Sequence, residues 1–182
     1  MGSRIFVPLC GKSLDMIWLA QRGHEVIGVE LSPVAVSAFF QENNLQPVKQ
    51  IVGQFTLWSH GNISILCGDY FALTPKDIGL FDAAYDRAAL TSLPESIRAL
   101  YVKQLHKLVA KTSKVFLLTI EDAAENASMS QAIGVDEEIN NIYSDGFDID
   151  LAYVESVFET DPASLDTTVN RVEYKVYRLT CK

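Results

Sequence analysis

Apolar and polar positions along this chain recur in two periods, and the switches between them mark out its elements. Residues 5–8 are a short apolar run; after a turn around Cys10 and Gly11, Leu14, Ile17 and Trp18 recur at helical spacing behind Ser13. This reads as strand, loop and helix, with Ser13 as the cap and Asp15 favouring the positive helix end. Gly23 supplies a left-handed stop, and residues 25–30 predict the second strand. Ser32 followed by Pro33 is the chemistry of a cap and first helical position, opening a helix through Val36, Phe39 and Phe40 to Asn43. Trp18, Phe39 and Phe40 take core-facing positions on these two helices.

Residues 55–58 and 63–67 are strand-length runs on either side of a turn at 59–62, and the pattern leaves open whether they pair as a hairpin or lie apart. Residues 80–85 predict a further strand. Pro94 begins a long helix whose Ile97, Leu100, Tyr101, Leu105, Leu108 and Val109 share one stripe, and residues 114–120 follow as a buried strand. Near the end, Val172, Tyr174 and Val176 alternate with Glu173 and Lys175, the pattern of an antiparallel edge strand with one solvated face. Residues 121–134 read as a surface excursion or lid, and 136–143 as a short helix. Strands alternating with helices of this length predict an α/β domain, doubly wound around a mostly parallel sheet and spanning residues 1–182 as one unit.

Charge and composition narrow the function classes. Fifteen Lys and Arg against 23 Asp and Glu give a formal charge of −8, a field that repels phosphate backbones and anionic membrane surfaces. No nucleic-acid partner is expected. The apolar runs are strand-length, well short of the roughly 20 residues of a membrane helix. The chain reads into its first strand almost at once, so no signal peptide is expected. Cys10, Cys67 and Cys181 are odd in number and widely spaced, which suits the reducing cytoplasm better than a disulfide framework. His24, His60 and His106 have no ligand-spaced partners, so no metal is expected, and His106 falls on the polar side of its helix.

In a doubly wound sheet, ligands bind at the carboxyl ends of the strands near the point where strand order reverses. The first such loop, residues 7–13, carries Gly11, where the backbone can approach a ligand, with a helix N-terminus behind it. Gly11-Lys12-Ser13 resembles the end of a phosphate loop, but Phe6 stands where that motif needs glycine; the dinucleotide fingerprint lacks its other glycines too. Glu30 ends the second strand, where a carboxylate can accept both hydroxyls of a ribose; a plain surface glutamate is the alternative. Asp69-Tyr70-Phe71 can place an acceptor and an aromatic face beside an adenine, or can be ordinary turn chemistry. Asp86-Arg87 offers a cation over the same crevice, or a mundane surface pair.

The run of residues 4–43, with PLCGKS followed by GVE, resembles the first βαβα segment of thiopurine S-methyltransferases, bacterial ones especially. CGDYF at 67–71 and YDRAAL at 85–90 resemble two further segments of that family, and the likeness is good to about Ile120. The resemblance implies a Rossmann-like class I methyltransferase fold with a seven-stranded sheet and S-adenosyl-L-methionine as cofactor. It also implies a small aromatic or heterocyclic thiol as acceptor, with tellurium or selenium compounds as further substrates, and a monomer. By resemblance Leu9 lines the methionine part of the cofactor, Glu30 holds the ribose, Asp69 and Tyr70 flank the adenine, and Arg87 lies near cofactor and acceptor. The family's tryptophan-bearing N-terminal segment is not matched here, and Gln131 to Gly134 replaces a Pro-Pro-Phe stretch. A degenerate cofactor-binding domain without turnover is therefore the alternative, and an NAD-binding oxidoreductase a more distant one.

Overall fold

The structure is a computed structural model that describes residues 2–122, 135–160 and 169–182. The expected lid at 121–134 lies almost wholly outside them. Among the described residues, the strands β1 (Arg4–Val7), β2 (Glu25–Glu30), β3 (Val48–Val52), β4 (Phe55–His60), β5 (Ile63–Cys67), β6 (Ala83–Arg87), β7 (Lys114–Asp122), β8 (Phe147–Thr160) and β9 (Val169–Cys181) form one sheet. Their order is β3-β4-β5-β2-β1-β6-β7-β9-β8. The stretch from β5 to β8 supplies the seven strands expected of the fold, and β3-β4 extends it beyond β5. The strands β5, β2, β1, β6 and β7 are mutually parallel, as the alternation with helices requires. The two runs around residues 59–62 do form a hairpin, β4 against β5.

Strand order reverses at β1: β2 and β5 lie on one side of it, β6 and β7 on the other. The carboxyl ends of β1, β2 and β6 therefore lie side by side at one edge of the sheet, where this fold class opens its ligand crevice. The helices α1 (Asp15–Gln21), α2 (Pro33–Glu42), α3 (Pro75–Ile78), α4 (Ala89–Ser92), α5 (Glu95–Leu108) and α6 (Glu137–Tyr143) pack on the sheet. One core cluster centres on Phe6, Leu66, Tyr101, Leu105 and Leu117, the other on Val7, Met16, Phe39, Phe40 and Ile65. α2 is built as its sequence requires: Ser32 accepts from Ala35 N–H at 3.2 Å, with Pro33 at the first position.

Several expectations need correction. Ser13 does not cap α1; the N-cap is Leu14, and Ser13 Oγ accepts from Asp15 N–H at 3.3 Å. The core face of α1 is Met16 and Leu19, whereas Trp18 is 51% exposed under the Arg22 guanidinium, 3.6 Å from its ring centroid. On α5, Leu100 is exposed and Gln104 is buried, because its amide donates to the carbonyls of Tyr70 and Leu73. The strand expected at 80–85 runs from Ala83 to Arg87, leaving Leu80 exposed. β9 is not an edge strand: it pairs with β7 on one side and with β8, unpredicted from the pattern, on the other. Its charged positions are not solvated either. Glu173 and Lys175 are 4% and 5% exposed and face each other at 3.7 Å.

Gly28 in β2 matters through the space it leaves. A Cβ there would lie 2.7 Å from Cys10 Sγ and 3.0 Å from Met16 Cε, so the missing side chain is what seats the loop after β1 and the core face of α1. Gly28→Ala is expected to overpack this contact and cost about 1–3 kcal/mol. Urea unfolding would read it as a lower midpoint at unchanged slope, partly recovered when Cys10→Ala is added.

Candidate active site

The β1 to α1 loop is held open by backbone geometry. Leu9 and Gly11 both adopt positive φ, 44° and 51°, which a leucine takes only under constraint. Cys10 N–H donates to Val29 O at 2.9 Å, continuing the strand pairing one step past β1. Glu30 then closes the loop: Gly11 N–H donates to its Oε2 at 3.0 Å and Ser32 N–H to its Oε1 at 2.7 Å. Each oxygen keeps a further lone pair, so the half-buried carboxylate is oriented and still able to accept ribose hydroxyls. A Cβ built on Gly11 meets nothing within 4 Å, leaving open space over the loop. These features fit an adenosyl cofactor laid along the loop toward Glu30. Lys12 turns away, its Nζ on Glu42 at 2.8 Å, so the phosphate-loop likeness has no geometry behind it.

The other predicted residues fall at the same end of the sheet. Asp69 is exposed past β5 and its Oδ1 accepts from Phe71 N–H at 2.9 Å. Tyr70 is placed differently from expectation. It is 2% exposed, its ring stacks on Tyr101 with centroids 4.9 Å apart, and its hydroxyl donates to Tyr101 O. The aromatic face exposed beside Asp69 belongs to Phe71. Arg87 ends β6, exposed, and its Nε forms an ion pair with Asp15 Oδ2 at 2.5 Å. Tyr85 OH donates to the same oxygen at 3.2 Å. Sequence reasoning missed this partnership, reading Asp15 only as a helix-end charge; no spacing rule joins residues 70 apart.

Comparison with known proteins places the chain in a family. The sequence model of the family described as thiopurine S-methyltransferase matches residues 1–182. This chain belongs to that family. A thiopurine S-methyltransferase of Stutzerimonas stutzeri is 61% identical over 180 residues, 99% of this chain and 76% of the relative. One of Methylococcus capsulatus is 41% identical over 177 residues, 97% of this chain and 80% of the relative. Among solved structures, a TehB-like SAM-dependent methyltransferase of Corynebacterium glutamicum shares the fold at TM-score 0.60 and 16% identity, covering 100% of this chain and 81% of its own. Magnesium protoporphyrin IX methyltransferase of Synechocystis, with bound SAM, does so at TM-score 0.57 and 20% identity, covering 96% and 70%. The chain is thus an S-adenosylmethionine-dependent methyltransferase with a Rossmann-like α/β fold.

Beneath the family's Asp-Arg turn lies a buried polar knot. Asp86 is fully buried; Tyr101 OH donates to its Oδ2 at 2.6 Å and Ala89 N–H to its Oδ1 at 3.1 Å. Between Arg87 and α4, Ala88 takes φ 65°, so the carboxylate anchors a strained turn from below. Burial pushes Asp86 up to about 6, with the Tyr101 hydroxyl and the Leu90 and Ala89 amides opposing it. Folded Asp86 holds its proton more tightly than the unfolded chain does. Its contribution to stability is full below about pH 4 and is lost as pH rises through about 6. Asp86→Asn should remove that slope, a component of about 3 kcal/mol for a two-unit shift. Denaturant unfolding across this range checks it: wild type should lose stability relative to the Asn variant as pH rises from 4 to 7.

Proposed function

We propose that this protein transfers the methyl group of S-adenosylmethionine to the sulfur of a small aromatic or heterocyclic thiol. The observation that supports this reading best is the meeting of an oriented carboxylate, Glu30, and an exposed cation, Arg87, across the point where strand order reverses. Leu9 and Gly11 would follow the methionine part of the cofactor, Glu30 the ribose, and Asp69 with Phe71 rather than the buried Tyr70 ring the adenine. Arg87 would orient the acceptor. The relatives' name, thiopurine S-methyltransferase, points to the same acceptor class.

The cofactor supplies an electrophilic methyl on a sulfonium. The protein's task is then alignment, bringing the acceptor sulfur in line at roughly 3–3.5 Å, and keeping that sulfur anionic. No base is needed for a thiol acidic enough to arrive as thiolate. Arg87 favours that form by opposite charge. Tyr85, pushed up to about 12 by burial and by Asp15, remains a hydrogen-bond donor and not a base.

Two measurements test the reading. Calorimetric titration with S-adenosylhomocysteine should show saturable binding that Glu30→Ala weakens by about tenfold or more, about 1.4 kcal/mol per decade. Glu30→Gln, which keeps one acceptor oxygen, should lie between. Methyl transfer to an aromatic thiol should follow, with Arg87→Gln lowering kcat/KM; tellurite and selenite in the same assay address the chalcogen acceptors. Binding without turnover for any acceptor would leave a cofactor-binding domain only. Preference for a nicotinamide cofactor over S-adenosylhomocysteine in competition would overturn the assignment.

A further inference from the structure

The ion pair between Asp15 and Arg87 spans the crevice from the first turn of α1 to the end of β6, elements joined by no strand pairing of their own. Asp15 is the less exposed partner, with side-chain exposure of 28% against 53% for Arg87, and it is braced on its other side by the Tyr85 hydroxyl. It engages Arg87 at Nε, on the inner edge of the guanidinium. The contact is an ion pair, and no guanidinium nitrogen donates a hydrogen bond to another described residue; its nearest approach is at Nε, and the terminal nitrogens are the forked pair suited to an anion. We propose that Asp15 is a positioning residue: it holds Arg87 by its inner edge so that the fork faces the acceptor, and thereby favours anionic acceptors over neutral ones. This rests on the acceptor role given to Arg87 above.

Asp15 has two opposing effects, and the geometry indicates which dominates. Its negative charge offsets part of the Arg87 charge, which weakens attraction for an anion. At an exposed site that long-range effect is screened by water and salt. Tethering acts on the guanidinium itself: an untethered arginine is free about every torsion of its side chain, and a planar fork rewards an anion only when it is already aimed. Removing Asp15 should therefore impair use of an anionic acceptor, although simple charge counting predicts the reverse.

The test compares Asp15→Asn, Asp15→Glu and Arg87→Gln with 4-nitrothiophenol, anionic at neutral pH, and benzyl mercaptan, neutral there. Asp15→Asn should raise KM for the anionic thiol by about five- to tenfold, with a smaller change in kcat and little change for the neutral thiol. Asp15→Glu should restore most of the loss. In an Arg87→Gln background, Asp15→Asn should add nothing, since the residue acts through Arg87. A lower KM in Asp15→Asn, or equal loss for both thiols, overturns the proposal. Spin relaxation of the Arg87 Nε–H group supplies a readout independent of turnover: it should be rigid in wild type and mobile in Asp15→Asn. An Arg87 side chain as mobile in wild type as in the variant also overturns the proposal. Absence of turnover in wild type with an ordered Arg87 would count against the thiol reading alone.

Discussion

At the ends of β1 and β2, two backbone N–H groups from different loops converge on one carboxylate, that of Glu30. The parallel register that pairs Val7 with Gly28 carries the end of β2 alongside the loop that follows β1, so the side chain needs only to reach across one strand. Amides pointing at a single anion define a rigid corner, and a charge-assisted bond to each oxygen is stronger than a neutral one. The corner fixes where the loop leaves the sheet, and with it the start of α1. Gly28 completes the arrangement by leaving room for Cys10 and Met16. From there Asp15 is delivered to Arg87. The site's geometry thus descends from one carboxylate and one missing side chain.

The opposite wall is held by a different device. Asp86 is buried where a charge is costly, and hydrogen bonds from Tyr101 and the α4 amides offset that cost only in part. The return is positional: β6 ends, Ala88 turns left-handed, and α4 begins within three residues. A turn this tight cannot rely on glycine here, since the sequence provides alanine, so the conformation is imposed by bonds from below. Arg87 is the residue that such a turn exposes. Glu30 is half-buried and accepts from backbone donors, whereas Asp86 is sealed in the core.

The legible features were those set by local chemistry. Ser32-Pro33, Gly23 and the alternation of strands with helices act through neighbours in sequence, and α2, the end of α1 and the parallel sheet follow them. Glu30, Asp69 and Arg87 were legible as strand-end residues in a doubly wound sheet, without any knowledge of their partners. What local pattern could not supply was the tertiary environment. Trp18 looked like core because helical spacing does not say which face meets the sheet, and Met16 opposite Gly28 decided it. The alternation in β9 showed that a strand was there, but not that it lies between two others or that Glu173 and Lys175 are out of water. Tyr70 follows the exposed Asp69 in sequence, yet its ring stacks on Tyr101 in the core.

Electrostatics ties the two walls together. A chain with a formal charge of −8 repels an anionic acceptor at long range, so any affinity must come from a cation close enough to escape that averaged field. On the proposed reading Arg87 is that cation, although an exposed arginine beside a carboxylate can equally form an internal pair. Engagement at Nε is what separates these outcomes, because it uses the guanidinium edge that an incoming anion would not need. Glu30 makes the same kind of economy at the other wall, giving one lone pair per oxygen to the loops and keeping the rest. Both groups bind the protein with one part and keep another part unengaged, and on the proposed reading that is how this acidic α/β fold presents opposite charges to the two ends of a methyl transfer.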